Sequence, residues 1–182
     1  LLLEELMEKI NIGVFEFAEQ AIRVFNRLGL LLVSTNEKTG PNVMTVGWGL
    51  AGVLWGRPVF VVFVRPSRHT YQVLEEADDF TLNIPAKGME EQVSICGTVS
   101  GRAINKFKEA GLEILLSRRV NSPVIRQCIA HLECSIIYRT LLNGEKIPSL
   151  VKSSYSGNDY HKAYFGEMLE AYADQDYKSK LP

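Results

Sequence analysis

The densest set of side chains able to do chemistry is VRPSRHTY, residues 64 to 71. Arg65 and Arg68 offer forked bidentate donors, and Ser67 and Thr70 offer hydroxyls. A helix starting at Thr70, with that residue as its cap, would aim its first N–H groups the same way as His69 and its neighbours. These are the parts of a site for phosphate or another anion. The same residues also suit a solvated strand-to-helix loop whose arginines cap neighbouring carbonyls. A second cluster, CGTVSGR at 96 to 102, is followed by Lys106 and Phe107. Ser100 and Gly101 allow close backbone approach, and Arg102 and Lys106 add positive charge. Alone it reads as a turn. It becomes a wall of an anion site only where it meets the first cluster in space.

Other spacings invite chemistry less well. Gly47, Gly49 and Gly52 in MTVGWGLAG follow the G-x-G-x-x-G pattern of a dinucleotide-binding turn. That pattern works only where a helix opens out of it. Here Trp55, Gly56 and Pro58 follow, and they cannot begin one. Cys128, His131 and Cys134 are spaced C-x2-H-x2-C, but on a strand the cysteines face one side and the histidine the other. Three ligands then cannot converge, so no metal is expected and both cysteines read as small buried apolar residues. His161 opens a strand after a polar loop, where a lone histidine is commonly structural. No Ser or Cys lies in a nucleophile turn.

The elements that must position these residues follow from periodicity. Leu3, Leu6, Met7 and Ile10 share a helical face, and Phe17, Ala21, Val24, Phe25 and Leu28 repeat it after Gly13, so residues 1–28 read as mostly helix ended by Gly29. Residues 30–34, 44–48, 59–64 and 80–84 read as strands, and VFVVFV is apolar on both faces, as in a strand covered on both sides. Helices are expected over 70–77, 89–95 and 106–115, and two long strands over 129–142 and 164–173. The connection 143–160 is longer than most and rich in Ser, Lys, Gly and Asn, which marks a functional or mobile segment. Several strands with peripheral helices, in no regular alternation, predict a mostly-β barrel in a single domain, 1–182.

Composition narrows the function classes. The chain has 182 residues, a formal net charge of −1, 46% hydrophobic and 23% charged residues. Nothing global attracts nucleic acid or an anionic membrane. No apolar run approaches the roughly 20 residues needed to span a bilayer. Leu1 to Leu3 run straight into Glu4 and Glu5 without a basic segment, unlike a signal peptide. The chain does not begin with Met, so its natural start is open. Three cysteines suit a reducing cytoplasm better than a disulfide framework.

In their order and spacing, GPNVMTVGW (40–48), RPSRHTY (65–71), FTLNIP (80–85), CGTVSGR with NKF (96–107), ECSIIY and DYHKAYFGE (133–167) resemble the flavin reductase-like, FMN-binding split-barrel family, which includes flavoredoxin. The resemblance covers roughly residues 17 to 173. It implies a six-stranded Greek-key split barrel that forms a homodimer and binds FMN at or near the dimer interface. Asn42, Met44, Thr45, Val46, Gly47 and Trp48 would lie along the isoalloxazine. The glycines there would let backbone pack on a flat ring and turn between strands. Arg65, Ser67, Arg68, His69 and Thr70 would surround the phosphate. Ser100, Gly101, Arg102 and Lys106 would close the site from another side.

Two departures stand out. Ala103 follows Arg102 where many members of the family have Asp, and the stretch from Cys134 to His161 is longer than in short members. The implied activity is reduction of flavin by NADH or NADPH, with His161 the candidate catalytic residue, guiding the nicotinamide or supplying a proton. An electron-transfer protein taking electrons from a redox protein partner, and an FMN-binding module without turnover, are the alternatives.

Overall fold

The structure is a computed structural model that describes residues 9–155 and 157–182. Two hairpins come first. β2 (Leu30–Asn36) and β3 (Gly40–Val46) pair in register from Leu30 with Val46 to Asn36 with Gly40. Their turn is held by Asn36 Oδ1, which accepts from the N–H groups of Lys38 and Thr39 at 3.1 and 2.8 Å. β4 (Gly49–Leu54) and β5 (Arg57–Val64) form the second hairpin. Its two turn residues, Trp55 and Gly56, both have positive φ, 54° and 72°. That backbone matches the twist of a two-residue hairpin.

β6 (Asp79–Ile84) and two 12-residue strands, β9 (Ala130–Leu141) and β10 (Lys162–Ala173), complete one antiparallel sheet in the order β3-β2-β6-β9-β10-β5-β4. β5 lies beside β10 and is followed in sequence by β6, β9 and β10, which gives a Greek-key crossing. β5 is buried on both faces, as its sequence implies. Phe60, Val62 and Val64 belong to the main core, and Val59 and Val61 to an outer cluster with Ala163.

The helices are peripheral. α1 (Val14–Phe25) buries Phe17, Ala18, Ala21 and Val24. It sits so close to β4 that a Cβ at Gly49 would fall 2.7 Å from the Phe25 ring and 2.9 Å from that of Phe60. Gly49 therefore owes its identity to helix packing, since a methyl group there has no room. α2 (His69–Glu76) follows β5, and α3 (Glu90–Thr98) packs on β3. α4 (Lys106–Glu109) and α5 (Ser149–Lys152) are single turns.

Four expectations need correction. Ile10 is not helical: β1 (Ile10–Ile12) pairs with Ala171–Ala173 of β10. β5 pairs with β10 only as far as Glu167, and β1 satisfies backbone groups beyond that point. Leu3, Leu6 and Met7 lie outside the described residues. The helix expected over 106–115 stops at Glu109. Gly111 takes φ 62°, and β7 (Ile114–Leu115) then pairs with β8 (Val124–Ile125). β3 leaves the sheet at Val46, before Trp48, and β4 follows where a turn-rich stretch was expected. Finally, Arg68, not Thr70, is the residue before α2; Thr70 is buried inside its first turn.

Candidate functional site

The two polar clusters meet. The loop between β5 and α2 and the loop after α3 face each other across a pocket of about 230 Å³. Arg68 Nη1 donates to Gly97 O at 3.3 Å, and Arg102 Nη1 donates to Ser67 O at 3.1 Å. Close approach is built into the sequence at Gly101, where a Cβ would collide with Asn42 Oδ1 and lie 2.9 Å from His69 Cδ2. Asn42 Nδ2 in turn donates to Thr70 Oγ1 at 2.6 Å, fixing β3 to α2 beneath the pocket.

The electrostatics of this pocket are unbalanced. Lys106 is 7% exposed and lines it, and its ammonium donates to Cys96 O at 2.7 Å. Among the described residues it has no ion pair. Burial holds the Lys106 pKa below the usual lysine range, and the charge of Arg68 pushes the same way. A buried cation without a counter-charge is costly unless something supplies one. His69 Nδ1 is likewise buried without a partner. Arg65, Arg68 and Lys106 line this pocket against one carboxylate, Asp159, so cations outnumber anions among its lining residues, and an anion with several oxygens fits what is present. Cys96 lines the same pocket, but burial pushes its thiol up to about 11, which leaves it a poor nucleophile.

A second pocket of about 300 Å³ adjoins the first, with Met44, Arg65 and Arg68 in the wall of both. Thr45, Val46, Gly47, Trp48, Phe63 and His161 form the rest of its wall. Thr45 Oγ1 donates to Val93 O at 2.5 Å, tying this wall to α3. Trp48 and His161 stack with centroids 4.4 Å apart and planes 39° apart. His161 Nδ1 lies 3.1 Å from Tyr155 Oη. Burial, then the charge of Arg65, lowers the His161 pKa to about 4, so the imidazole is neutral at pH 7. The second pocket thus pairs backbone and aromatic surface with cations at one end, a shape suited to a flat ring system carrying an anionic tail.

The sequence-derived residues mostly converge. Met44, Arg65, Ser67, Arg68, His69, Thr70, Ser100, Gly101 and Lys106 line the first pocket, and Thr45, Val46, Gly47, Trp48 and His161 the second. Asn42 and Arg102 lie instead in an adjoining depression with His69 and Gly101. Each has a structural bond, Asn42 to Thr70 and Arg102 to Ser67. Sequence reasoning missed Asp159, Tyr155 and the backbone of Gly97. Nothing local in a polar loop signals that Asp159 meets Ser67, a partner 92 residues away. His131 is buried with Nδ1 2.8 Å from Asn83 Oδ1, and among the described residues no group of three metal-binding side chains is assembled.

An open antiparallel sheet of this order, with a cation-lined pocket at the junction of β3, α2 and α3, has the architecture of a split-barrel protein. Residues 26–180 match the flavin reductase like domain, and the chain belongs to that family. A protein of Archaeoglobus fulgidus is 33% identical over 107 residues, covering 59% of this chain and 59% of the relative. The match thus spans less than two thirds of that relative's length.

Three solved structures share the fold. Flavoredoxin of Desulfovibrio vulgaris (Miyazaki F) aligns with a TM-score of 0.64 and 22% identity, covering 85% of this chain and 75% of that one. An FMN-binding domain of a flavin reductase-like enzyme from Shewanella baltica OS155 gives 0.65 and 21%, covering 91% and 77%. The Streptomyces globisporus C-1027 NADH:FAD oxidoreductase SgcE6, solved with NAD and FAD fragments, gives 0.59 and 21%, covering 90% and 87%.

Proposed function

We propose that the chain binds FMN and is an NAD(P)H-dependent flavin reductase. Its phosphate pocket would lie between residues 65–70 and 96–106, and the ring would rest on residues 44–48. The observation that carries this reading is Lys106, a buried cation lining a pocket that adjoins a second one walled by Thr45, Val46, Gly47 and Trp48. When bound, FMN supplies the hydride- and electron-accepting chemistry. Arg68, Thr70, Ser100 and Lys106 then hold its phosphate, with the unpartnered His69 Nδ1 beside them. Gly47 and the backbone of Thr45 and Val46 support the ring. Trp48 and a neutral His161, held by Tyr155, bound the ring pocket and limit water there. A neutral imidazole suits guiding a nicotinamide better than supplying a proton.

A homodimer accords with the outer face of the sheet. Val53 and Trp55 are 68% and 66% exposed, and Trp55 meets Tyr138 edge-on at 6.1 Å beside the cluster of Val59, Val61 and Ala163. An apolar face of this kind on a soluble domain is commonly covered by a partner. Among the described residues no helix is long and apolar enough to cross a membrane, and the three cysteines are unpaired and buried, in keeping with a cytoplasmic site of action.

One observation favours an electron-transfer protein instead. Arg65, which lines both pockets, donates from Nη2 to Ser154 O at 2.7 Å, and a segment tied to that shared wall would narrow access for a nicotinamide. The deciding experiment is an anaerobic absorption spectrum of FMN-loaded, desalted protein before and after NADH and then NADPH. Rapid bleaching of retained flavin supports the reductase and names its donor. Retained flavin that stays yellow favours the carrier. Flavin that is neither retained nor reduced sinks both readings.

A further inference from the structure

Both donors that the sequence offers a phosphate at Ser67 are already engaged. Ser67 N donates to Asp159 Oδ1 at 3.0 Å, and Ser67 Oγ donates to Asp159 Oδ2 at 2.6 Å. A carboxylate gripping a backbone N–H and the hydroxyl of one residue uses two oxygens as a phosphate would. Asp159 lines the anion pocket together with Arg65, Arg68 and Lys106. It belongs to the long loop, whose Ser154 accepts from Arg65 and whose Tyr155 ring lies 5.4 Å from the Arg65 guanidinium carbon. Two residues further on, His161 stacks on Trp48 at the ring end of the site.

This arrangement sets two anions against each other. A phosphate dianion brought among Arg68, Ser100 and Lys106 would stand in the same small pocket as the Asp159 carboxylate and want the same two donors. Like charges repel, and neither oxygen set can use Ser67 while the other does. The phosphate carries more charge and gains Lys106, which has no ion pair among the described residues, so it wins the exchange.

We propose that Asp159 is an internal competitor for the phosphate position, occupying Ser67 when no phosphate is bound and giving it up to a phosphorylated flavin. This rests on the FMN reading above and deepens it. A flavin lacking phosphate leaves Asp159 in place, whereas FMN must break the Ser67 contact that fastens the loop to the arginine segment. Asp159 thereby lowers the affinity for phosphorylated ligands specifically and ties the loop's anchorage to phosphate occupancy.

The test is the affinity of the full chain and of its Asp159→Ala and Asp159→Asn variants for FMN, riboflavin and inorganic phosphate, with thermal midpoints recorded to show that each variant is folded. The Asn variant keeps the side-chain volume and removes the charge. The expected result is FMN binding roughly tenfold tighter in both variants, inorganic phosphate strengthened in parallel, and riboflavin within twofold of the unmodified chain. FMN affinity unchanged or weakened would overturn the inference and make Asp159 a fixed strut of the pocket. Equal tightening of FMN and riboflavin would overturn it too, because the loop would then act on the ring alone. If the unmodified chain binds neither flavin, the flavin reading fails and this inference with it, an outcome visible before any variant is made.

Discussion

Two polar clusters in this molecule use the same kinds of residues to opposite ends. Near β9, Glu133 is fully buried and accepts from Arg118 N at 2.8 Å, Arg119 N at 2.6 Å and Tyr172 Oη at 2.7 Å. Asp79 accepts from the N–H groups of Asn121 and Ser122, both at 2.9 Å. Arg118 stacks 4.0 Å over Tyr172 and pairs with Glu170. These carboxylates hold the 117–122 loop on the sheet with their bonding needs met inside the protein. At the pocket between α2 and α3 the count runs the other way: among the described residues the buried Lys106 ammonium has no ion pair and the buried His69 Nδ1 no hydrogen-bond partner. The difference teaches where to look for a ligand: a buried charge is costly without a counter-charge, so the pocket whose lining cations outnumber its carboxylates is the place suited to an anion.

The comparison breaks first at Glu133. Glu133→Ala removes the acceptor of two backbone N–H groups and a buried phenol, and should destabilise the protein by about 3 kcal/mol. Urea denaturation measures it, and the affinity of the folded fraction for FMN should be unchanged. A loss of under about 1 kcal/mol would mean that the cluster is not the anchor its geometry suggests.

At Lys106 the signs should reverse. A cation whose burial depresses its pKa costs the empty protein stability at neutral pH. Lys106→Met should therefore leave the thermal midpoint unchanged or raised, while FMN binding weakens by about 10- to 100-fold and riboflavin binding barely changes. A midpoint that falls sharply would assign Lys106 to the structural class. Arg68→Ala should give a smaller effect in the same direction, roughly tenfold for FMN and little for riboflavin, since among the described residues its side chain makes one long bond, to Gly97 O, and is less buried than Lys106. Equal loss for both flavins would remove Arg68 from the phosphate wall.

The split in what was legible beforehand follows the same physics. The strands β2, β5, β6, β9 and β10, the double covering of β5 and most of the pocket residues between 65 and 106 could be read, because apolar periodicity and clustered donors are local signals. β4 was not legible: its glycines and turn residues mask a strand whose identity rests on pairing with β5 and on the Phe25 ring behind Gly49. β1 was lost because Ile10–Ile12 fits a helical face locally and becomes a strand only through an edge supplied by β10, far along the chain. Arg102 was readable as a cation but not as a staple to Ser67 O, and Asp159, which opens the DYHKAYFGE motif, was not readable as the partner of Ser67, because both depend on contacts across the fold.

His161 gives the finest test, because its environment mixes the two clusters' characters. Its folded pKa of about 4 lies below the ordinary histidine value of 6.5, owing first to burial and then to Arg65, with Asp159 opposing. As pH falls from 6.5 toward 4 the unfolded chain takes up a proton that the folded chain refuses, so stability contributed by the neutral ring is lost across that window and no further below it. An NMR titration of the imidazole should show a midpoint near 4, and His161→Gln should flatten the thermal midpoint over the same pH range. The neighbours then sort themselves by sign. Arg65→Ala should move the midpoint up and Asp159→Asn should move it down, each modestly, because each removes one of two opposed charges. A midpoint near 6.5 that ignores both substitutions would mean that His161 is open to solvent, and that the loop does not close the ring end of the site.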